Sequence, residues 1–349
     1  MKKLTALFAA MVMMLTTVHA DEGMWLLNLL KRINEADMQN MGLNLTADEI
    51  YNVNQASLKD AIVMLNGGMC TGEVISSEGL VLTNHHCAYG AIQSFSSKEN
   101  DYLTDGFYAY DKGQEKHIED FEISFLVRIE DMTSRVLEGV TPAMSEAERA
   151  EKIGAAIQAI RKEATEGTGY SAQVKDFFYG NEYYLFVYNT YRDIRLVAAP
   201  PESVGKFGGD TDNWMWPRHT GDFSMLRIYA DADNNPADYA ATNKPFSPKR
   251  HLKVSLDGVA PNDFSMVMGY PGSTDRYLSS WGVEQAINVY NPSVVEVRDM
   301  KLKTMKQHMD ADKAVRIQYA SKYASTANYW KYYIGQTKGL KRLKVADQK

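Results

Sequence analysis

Between residues 61 and 268 the chain is a succession of short apolar or alternating segments, and this limits the fold more than any other feature. They cover 61–65, 72–76, 80–83, 123–129, 183–188, 194–198, 223–229, 253–256 and 264–268. Each has the length and the β-branched or aromatic content of a strand, and turn signals such as Asn66-Gly67-Gly68 and Asp233-Asn234-Asn235-Pro236 separate several of them. Helical patterns do not alternate with them, which argues for antiparallel barrels or a sandwich and against a parallel α/β sheet. One helix interrupts the series. Ser145 and Glu148 form a capping-box match, Ile153, Ala156, Ile157, Ile160 and Ala164 share a face, and Gly167 is the stop signal.

The flanks read differently. Met24, Leu26, Leu27, Leu30 and Ile33 recur at helical spacing, as an amphipathic helix does. From about Arg276 the pattern is helical again, first over Val294, Val295, Val297, Met300, Leu302 and Met305, then over Val315, Ile317, Tyr319, Ala320, Tyr323 and Ala324. The expected division is therefore mainly β with a helical insertion over 21–275 and helical over 276–349. Residues 1–20 have the make-up of a cleavable leader. Lys2 and Lys3 precede an apolar run over 4–16, and Val18-His19-Ala20 offers a small-residue cleavage site ahead of Asp21. That run is shorter than the roughly 20 residues a membrane span needs, and no later segment reaches that length; the alternative for 1–20 is a non-cleaved anchor. A periplasmic or secreted location without stable membrane insertion follows as the expectation.

Hydrophobic residues make up 45% and charged residues 23% of the chain, enough for a full core. The net charge of −6 becomes −8 without Lys2 and Lys3, and there is no long basic run, so nucleic acid is not the expected partner.

The segment with the most chemical content is Gly79-Leu80-Val81-Leu82-Thr83-Asn84-His85-His86-Cys87. It reads as a strand with Val81 and Thr83 on one face and Leu80 and Leu82 on the other, delivering two histidines to its exposed end. A histidine held there suits a general base. Cys70 and Cys87 are the two cysteines of the chain, 17 residues apart. Paired in an oxidising compartment, they would clamp the His86 loop to the preceding hairpin and contribute about 3 kcal/mol. The alternative is two unpaired buried thiols.

A second dense stretch runs from Phe207 to Phe223 and gathers Asp210, Asp212, Asn213, Trp214, Trp216, Arg218, His219 and Asp222. Asp222 stands at a strand entrance, where a carboxylate could accept the Nδ1 proton of a histidine. The plainer readings are a turn or cap for Asp222, core packing for Trp214 and Trp216, and a buried Arg218 paired with Asp210 or Asp212.

Taken together, Thr83-Asn84-His85-His86-Cys87 and the stretch from Gly208 to Phe223 resemble the bacterial serine dipeptidyl-peptidases of the dipeptidyl peptidase 7 and dipeptidyl peptidase 11 family. So do Asp21-Glu22-Gly23-Met24-Trp25-Leu26, Pro271-Gly272-Ser273-Thr274-Asp275-Arg276-Tyr277 and Ser325-Thr326-Ala327-Asn328-Tyr329-Trp330-Lys331. The resemblance implies a chymotrypsin-like double β-barrel with a large helical domain inserted before the second catalytic portion. It makes His86, directly before Cys87, the general base, and Asp222 its orienting carboxylate. Asn213, the backbone of Trp214, and Asn328 match the positions that hold the substrate's ammonium, for which carbonyl oxygens are suitable acceptors. Such enzymes release dipeptides from the free amino end of oligopeptides, with helices over the cleft blocking longer extensions. The resemblance implies a homodimer at full length and no cofactor. The segment from Ser273 to Glu284 looks closer to dipeptidyl peptidase 7, which implies a broad or hydrophobic preference at the penultimate position.

One departure from the family pattern matters. The family's nucleophilic serine lies in a glycine-rich segment far beyond residue 349, and no Gly-x-Ser-Gly occurs here; Ser273, Ser171 and Ser76 do not match it. The expectation is the amino-terminal part of a longer enzyme, inactive by itself because nucleophile and oxyanion donors are absent. Two rivals remain open. One is a non-catalytic periplasmic peptide-binding relative. The other is a zinc hydrolase using His85, His86, Asp222 or His219, against which stand the lack of a His-Glu-x-x-His spacing and the opposite facing of adjacent strand residues.

Overall fold

The computed structural model describes residues 25–349, so the leader over 1–20 and Met24 lie outside the described residues. Eleven strands form one antiparallel sheet. They are β1 (Ile62–Leu65), β2 (Cys70–Val74), β3 (Leu80–Thr83), β4 (Phe107–Tyr108), β5 (Lys116–His117), β6 (Ile123–Asp131), β7 (Ser171–Phe177), β8 (Glu182–Tyr191), β9 (Asp193–Ala199), β10 (Ser224–Ala230) and β11 (Lys244–Pro245). The spatial order is β4-β9-β10-β3-β2-β1-β6-β8-β7, with β11 paired to β10 and β5 to β9. The ends, β4 and β7, do not pair with one another, so the sheet is not closed. A closed double barrel is therefore not what these residues form.

Alternation put the strands where they are. Val63, Leu65, Val74, Val81, Ile123, Ile194, Leu196, Leu226 and Ile228 project into one core, which also takes Ala88 and Ile92 from the helix following β3. The long paired strands β6 and β8 carry a second set, Leu126, Ile129, Tyr184 and Tyr188, which packs with Met64 of β1.

Five features differ from the sequence reading. The strands expected over 253–256 and 264–268 are irregular, and Leu256 and Val267 are 94% and 102% exposed. β-Favouring residues become a strand only with a ladder partner, and the described residues supply none there beyond a single Leu252 N–H bond to the Val74 carbonyl. β7, in contrast, was not foreseen. The amino-terminal helix is broken into a 3₁₀ turn (Leu27–Leu29) and two short helices (Leu30–Ile33 and Glu35–Asn40) that pack around Leu30, Met38 and Ile50. The histidines expected on a strand end sit in the first turn of a helix, α1 (His85–Ser94). Arg218 is exposed rather than buried against Asp210 or Asp212, and donates to Thr220 and Asn213.

The interrupting helix, α2 (Glu146–Thr165), forms with the expected reciprocal cap between Ser145 and Glu148. Its Ile153, Ile157 and Ile160 cover Val136, Ala172, Leu185 and Val187. Beyond Ser280 the chain is helical, dominated by α3 (Asn291–Ala311) and α4 (Lys313–Arg342), which pair through Leu302, Met305 and Ala327. Among the described residues no helix is long and apolar enough to cross a membrane.

Candidate active site

The site arises from strand register. β3 and β10 run antiparallel with Thr83 opposite Ser224. The residues just after β3 therefore lie beside those just before β10, which brings Asn84, His85 and His86 to Asp222. Asn84 takes the extended backbone of a helix N-cap, but its side chain makes no capping bond. Its Nδ2 donates instead to the Asp222 carbonyl (3.2 Å) and to Oδ2 (3.3 Å). Asp222 does the capping: Oδ1 accepts from the His86 backbone N–H at 3.1 Å, where the exposed amides and dipole of a helix start favour an anion. Oδ2 meets His86 Nδ1 at 2.8 Å. One carboxylate thus fixes both backbone and ring of the same histidine.

Burial differs sharply within this group. The His86 side chain is 68% exposed and that of Asp222 is 18% exposed. Burial pushes the Asp222 carboxyl up, but the hydrogen bonds and charge of His86, with the more distant charge of Arg218, outweigh this and hold it below the ordinary 3.8. With an ionised carboxylate as acceptor, Nδ1 carries the proton, and the lone pair of Nε2 is left to the solvent side. His85, by contrast, is 1% exposed, and burial depresses its imidazole below the ordinary 6.5 despite the nearby carboxylates of Asp222 and Glu202.

Cys70 and Cys87 are joined as a disulfide with Cα atoms 6.1 Å apart, tying the first residue of β2 to the first turn of α1. A ring nitrogen of His86 and both sulfurs lie within 4.8 Å of one another, so the bridge rests against the imidazole. Among the described residues that is the one grouping of potential ligand atoms, and its sulfurs are consumed by the bridge. His85, His86, Asp222 and His219 do not come together as a metal-ligand set.

The stretch before Asp222 reaches across to α4. Asn213 Nδ2 donates to Asn328 Oδ1 (2.8 Å), and Trp214 Nε1 donates to the Asn328 carbonyl (3.1 Å). Trp214 lies against Tyr332 with ring centroids 5.2 Å apart. Lys331 Nζ, one turn along α4 from Asn328, donates to the carbonyls of Asp210 (2.6 Å) and Thr211. The three residues expected as an amino-end anchor are therefore gathered into one contact. Trp214 and Trp216 are exposed, contrary to the core reading. Asn84 and Lys331 escaped the sequence reading; the signal for Asn84 was an N-cap residue at the head of an apolar helix.

The family model described as Peptidase S46 matches residues 20–349. The chain is 52% identical over 334 residues to Dipeptidyl-peptidase 7 of Capnocytophaga gingivalis, covering 96% of this chain and 47% of the relative. It is 51% identical over 320 residues to the Asp/Glu-specific dipeptidyl-peptidase of Flavobacterium psychrophilum, covering 92% and 45%. The crystal structure of Porphyromonas endodontalis DPP11 in complex with the dipeptide Arg-Glu superposes with a TM-score of 0.86 at 41% identity, covering 94% of this chain and 48% of that one. The chain thus spans about half the length of the curated relatives it matches. The near-equal identities to two differently named specificities do not divide them.

Proposed function

Because this chain belongs to the peptidase S46 family, we propose that it supplies the histidine and aspartate of a serine-type dipeptidyl-peptidase acting on the free amino end of oligopeptides. The observation that carries this reading is the double clamp of Asp222 on the ring and backbone of an exposed His86. Asp222 holds the Nδ1–H tautomer and stabilises the imidazolium that forms when Nε2 takes a proton from a serine hydroxyl. That serine and its oxyanion donors are assigned to polypeptide beyond residue 349, and the 349 residues alone are expected to be inactive.

Asn213, the Trp214 backbone and Asn328 are proposed to receive the substrate's ammonium. Asn213 Oδ1 has capacity beyond its 3.4 Å contact with Arg218, and carbonyl oxygens accept from an ammonium without a competing charge. We assign residues 21–275 to the first portion of a chymotrypsin-like double barrel and 276–349 to the start of a helical domain over the cleft. All strands falling between Ile62 and Pro245, and the long helices beyond Ser280, support that division. In this reading, further strands close the sheet that is open here. Residues 1–20 are read as a leader for export to the periplasm or beyond, and the full-length enzyme as a homodimer.

The test is replacement in the full-length enzyme. His86→Ala should lower turnover by about 10²–10⁴-fold, and His85→Ala much less. Equal losses for the two would remove His86 from the role of base.

A further inference from the structure

His85 is buried beside the His86–Asp222 pair without a task in the chemistry above. Its Nε2 has no hydrogen-bond partner, and the Pro200 backbone beside the ring favours its charged form without outweighing burial. Burying an imidazole with an unpaired nitrogen is costly, and an apolar side chain of that volume would avoid the penalty. What the ring touches explains its presence. A Cβ built on Gly205 would meet Cδ2, Cγ and Nε2 of His85 at 2.4, 2.5 and 2.8 Å, so the imidazole lies against the bare backbone of the Glu202–Gly205 turn. The other side of this turn holds the approach to Asp222. Gly221 N–H donates to the Val204 carbonyl at 3.0 Å, and a Cβ on Gly221 would meet Val204 Cγ1 at 2.7 Å. The turn is thus wedged between the His85 ring and the residue preceding Asp222.

Its outer corner is tied down independently. Tyr89, one turn along α1 from His85, donates to Glu202, and the two rings meet edge to face with centroids 5.6 Å apart. Arg316 of α4 lies 3.6 Å from the other Glu202 oxygen.

We propose that His85 is a positioning residue which, through the Gly205–Val204–Gly221 contacts, sets the Asp222 carboxylate against the imidazole of His86. Its kinetic consequence rests on the reading of that pair as catalytic; the positioning itself is a property of these 349 residues and is tested in them. The readout is the tautomer ratio of the His86 ring, measured by long-range proton–nitrogen correlation on ¹⁵N-histidine-labelled protein in alkaline buffer. The parent chain should hold the Nδ1–H form. Gly205→Ala, which displaces the His85 ring, and Val204→Ala, which removes the side-chain packing on Gly221 and leaves the backbone hydrogen bond in place, should each shift the ratio about threefold or more towards Nε2–H. His85→Gln, which keeps a polar side chain beside the Pro200 backbone, should shift it less than His85→Ala.

A merely structural His85 would change the melting temperature and leave the ratio alone. An unchanged ratio in folded Gly205→Ala and Val204→Ala overturns the proposal. Should Gly205→Ala not fold, Val204→Ala, a truncation of a half-exposed side chain, decides alone. In the full-length enzyme the same variants should lower kcat about tenfold at unchanged KM. A shifted ratio with unchanged kcat would leave the positioning intact and strike at the catalytic reading instead.

Discussion

Asp222 serves three donors with two oxygens, one from Asn84 between β3 and α1 and two from His86 in the first turn of α1. This concentration has a consequence for acid stability. The Asp222 carboxyl is held below its ordinary value, so the unfolded chain binds its proton first, and stability is lost as pH falls below about 4. His85 acts in the same direction at higher pH. Its buried imidazole is depressed below 6.5, so unfolding takes up a proton and stability declines as pH drops from about 6.5, with Asp222, Glu202, Tyr89, Lys206 and Arg316 as its charged or titratable surroundings. His85→Gln should flatten the fall in denaturation midpoint between about pH 7 and 5 and leave the steeper loss below 4. An unaltered slope would mean that His85 is not the group responsible. His86 and Asp222 were singled out by the family resemblance, whose histidine-before-cysteine and aspartate-before-strand pieces the sequence carries, while the residues alone left a turn or cap open for Asp222. The partnership of Asn84 with a carboxylate 138 positions away was not legible there, because it depends on strand register.

At the scale of elements, the junction of β3 and α1 is braced by the disulfide from the start of β2. Replacing Cys70 and Cys87 by serine should lower stability by about 3 kcal/mol in urea titrations, and the His86 ring resonances should broaden. Sharp, unmoved resonances would deny the bridge any part in holding that ring. Strands rich in apolar and β-branched residues, alternating as in β3 or buried on both faces as in β6 and β8, could be read directly from their side chains. β7 could not: Ser171-Ala172-Gln173-Val174-Lys175-Asp176-Phe177 offers little inward apolar surface and owes its place to pairing along β8. The residues over 253–268 erred the other way, having suitable composition and no ladder.

At the scale of the whole molecule, α4 bonds α1, the Asp101 and Glu202 turns and the 210–214 stretch, the segments that surround the His86–Asp222 pair. Gln318 and Ser321 bond Gln93 of α1, Arg316 bonds Asp101 and approaches Glu202, and Asn328 and Lys331 bond the 210–214 stretch. The helical nature of 276–349 was legible from periodicity, but these polar seams were not, since each joins residues more than 100 positions apart. If Asn213 and Asn328 receive an ammonium, peptides with acetylated amino ends should be cleaved by the full-length enzyme about 10⁴-fold more slowly than free ones. Comparable rates would dismiss the anchor.

The sulfur bridge leaning on the imidazole of residue 86 also sets a condition on when that ring is held. Newly made polypeptide kept among reduced thiols has the brace undone, and only an oxidising surrounding fastens it. If the ring of residue 86 is the base proposed above, its bracing by the bridge ties readiness for acid–base work to an oxidising surrounding.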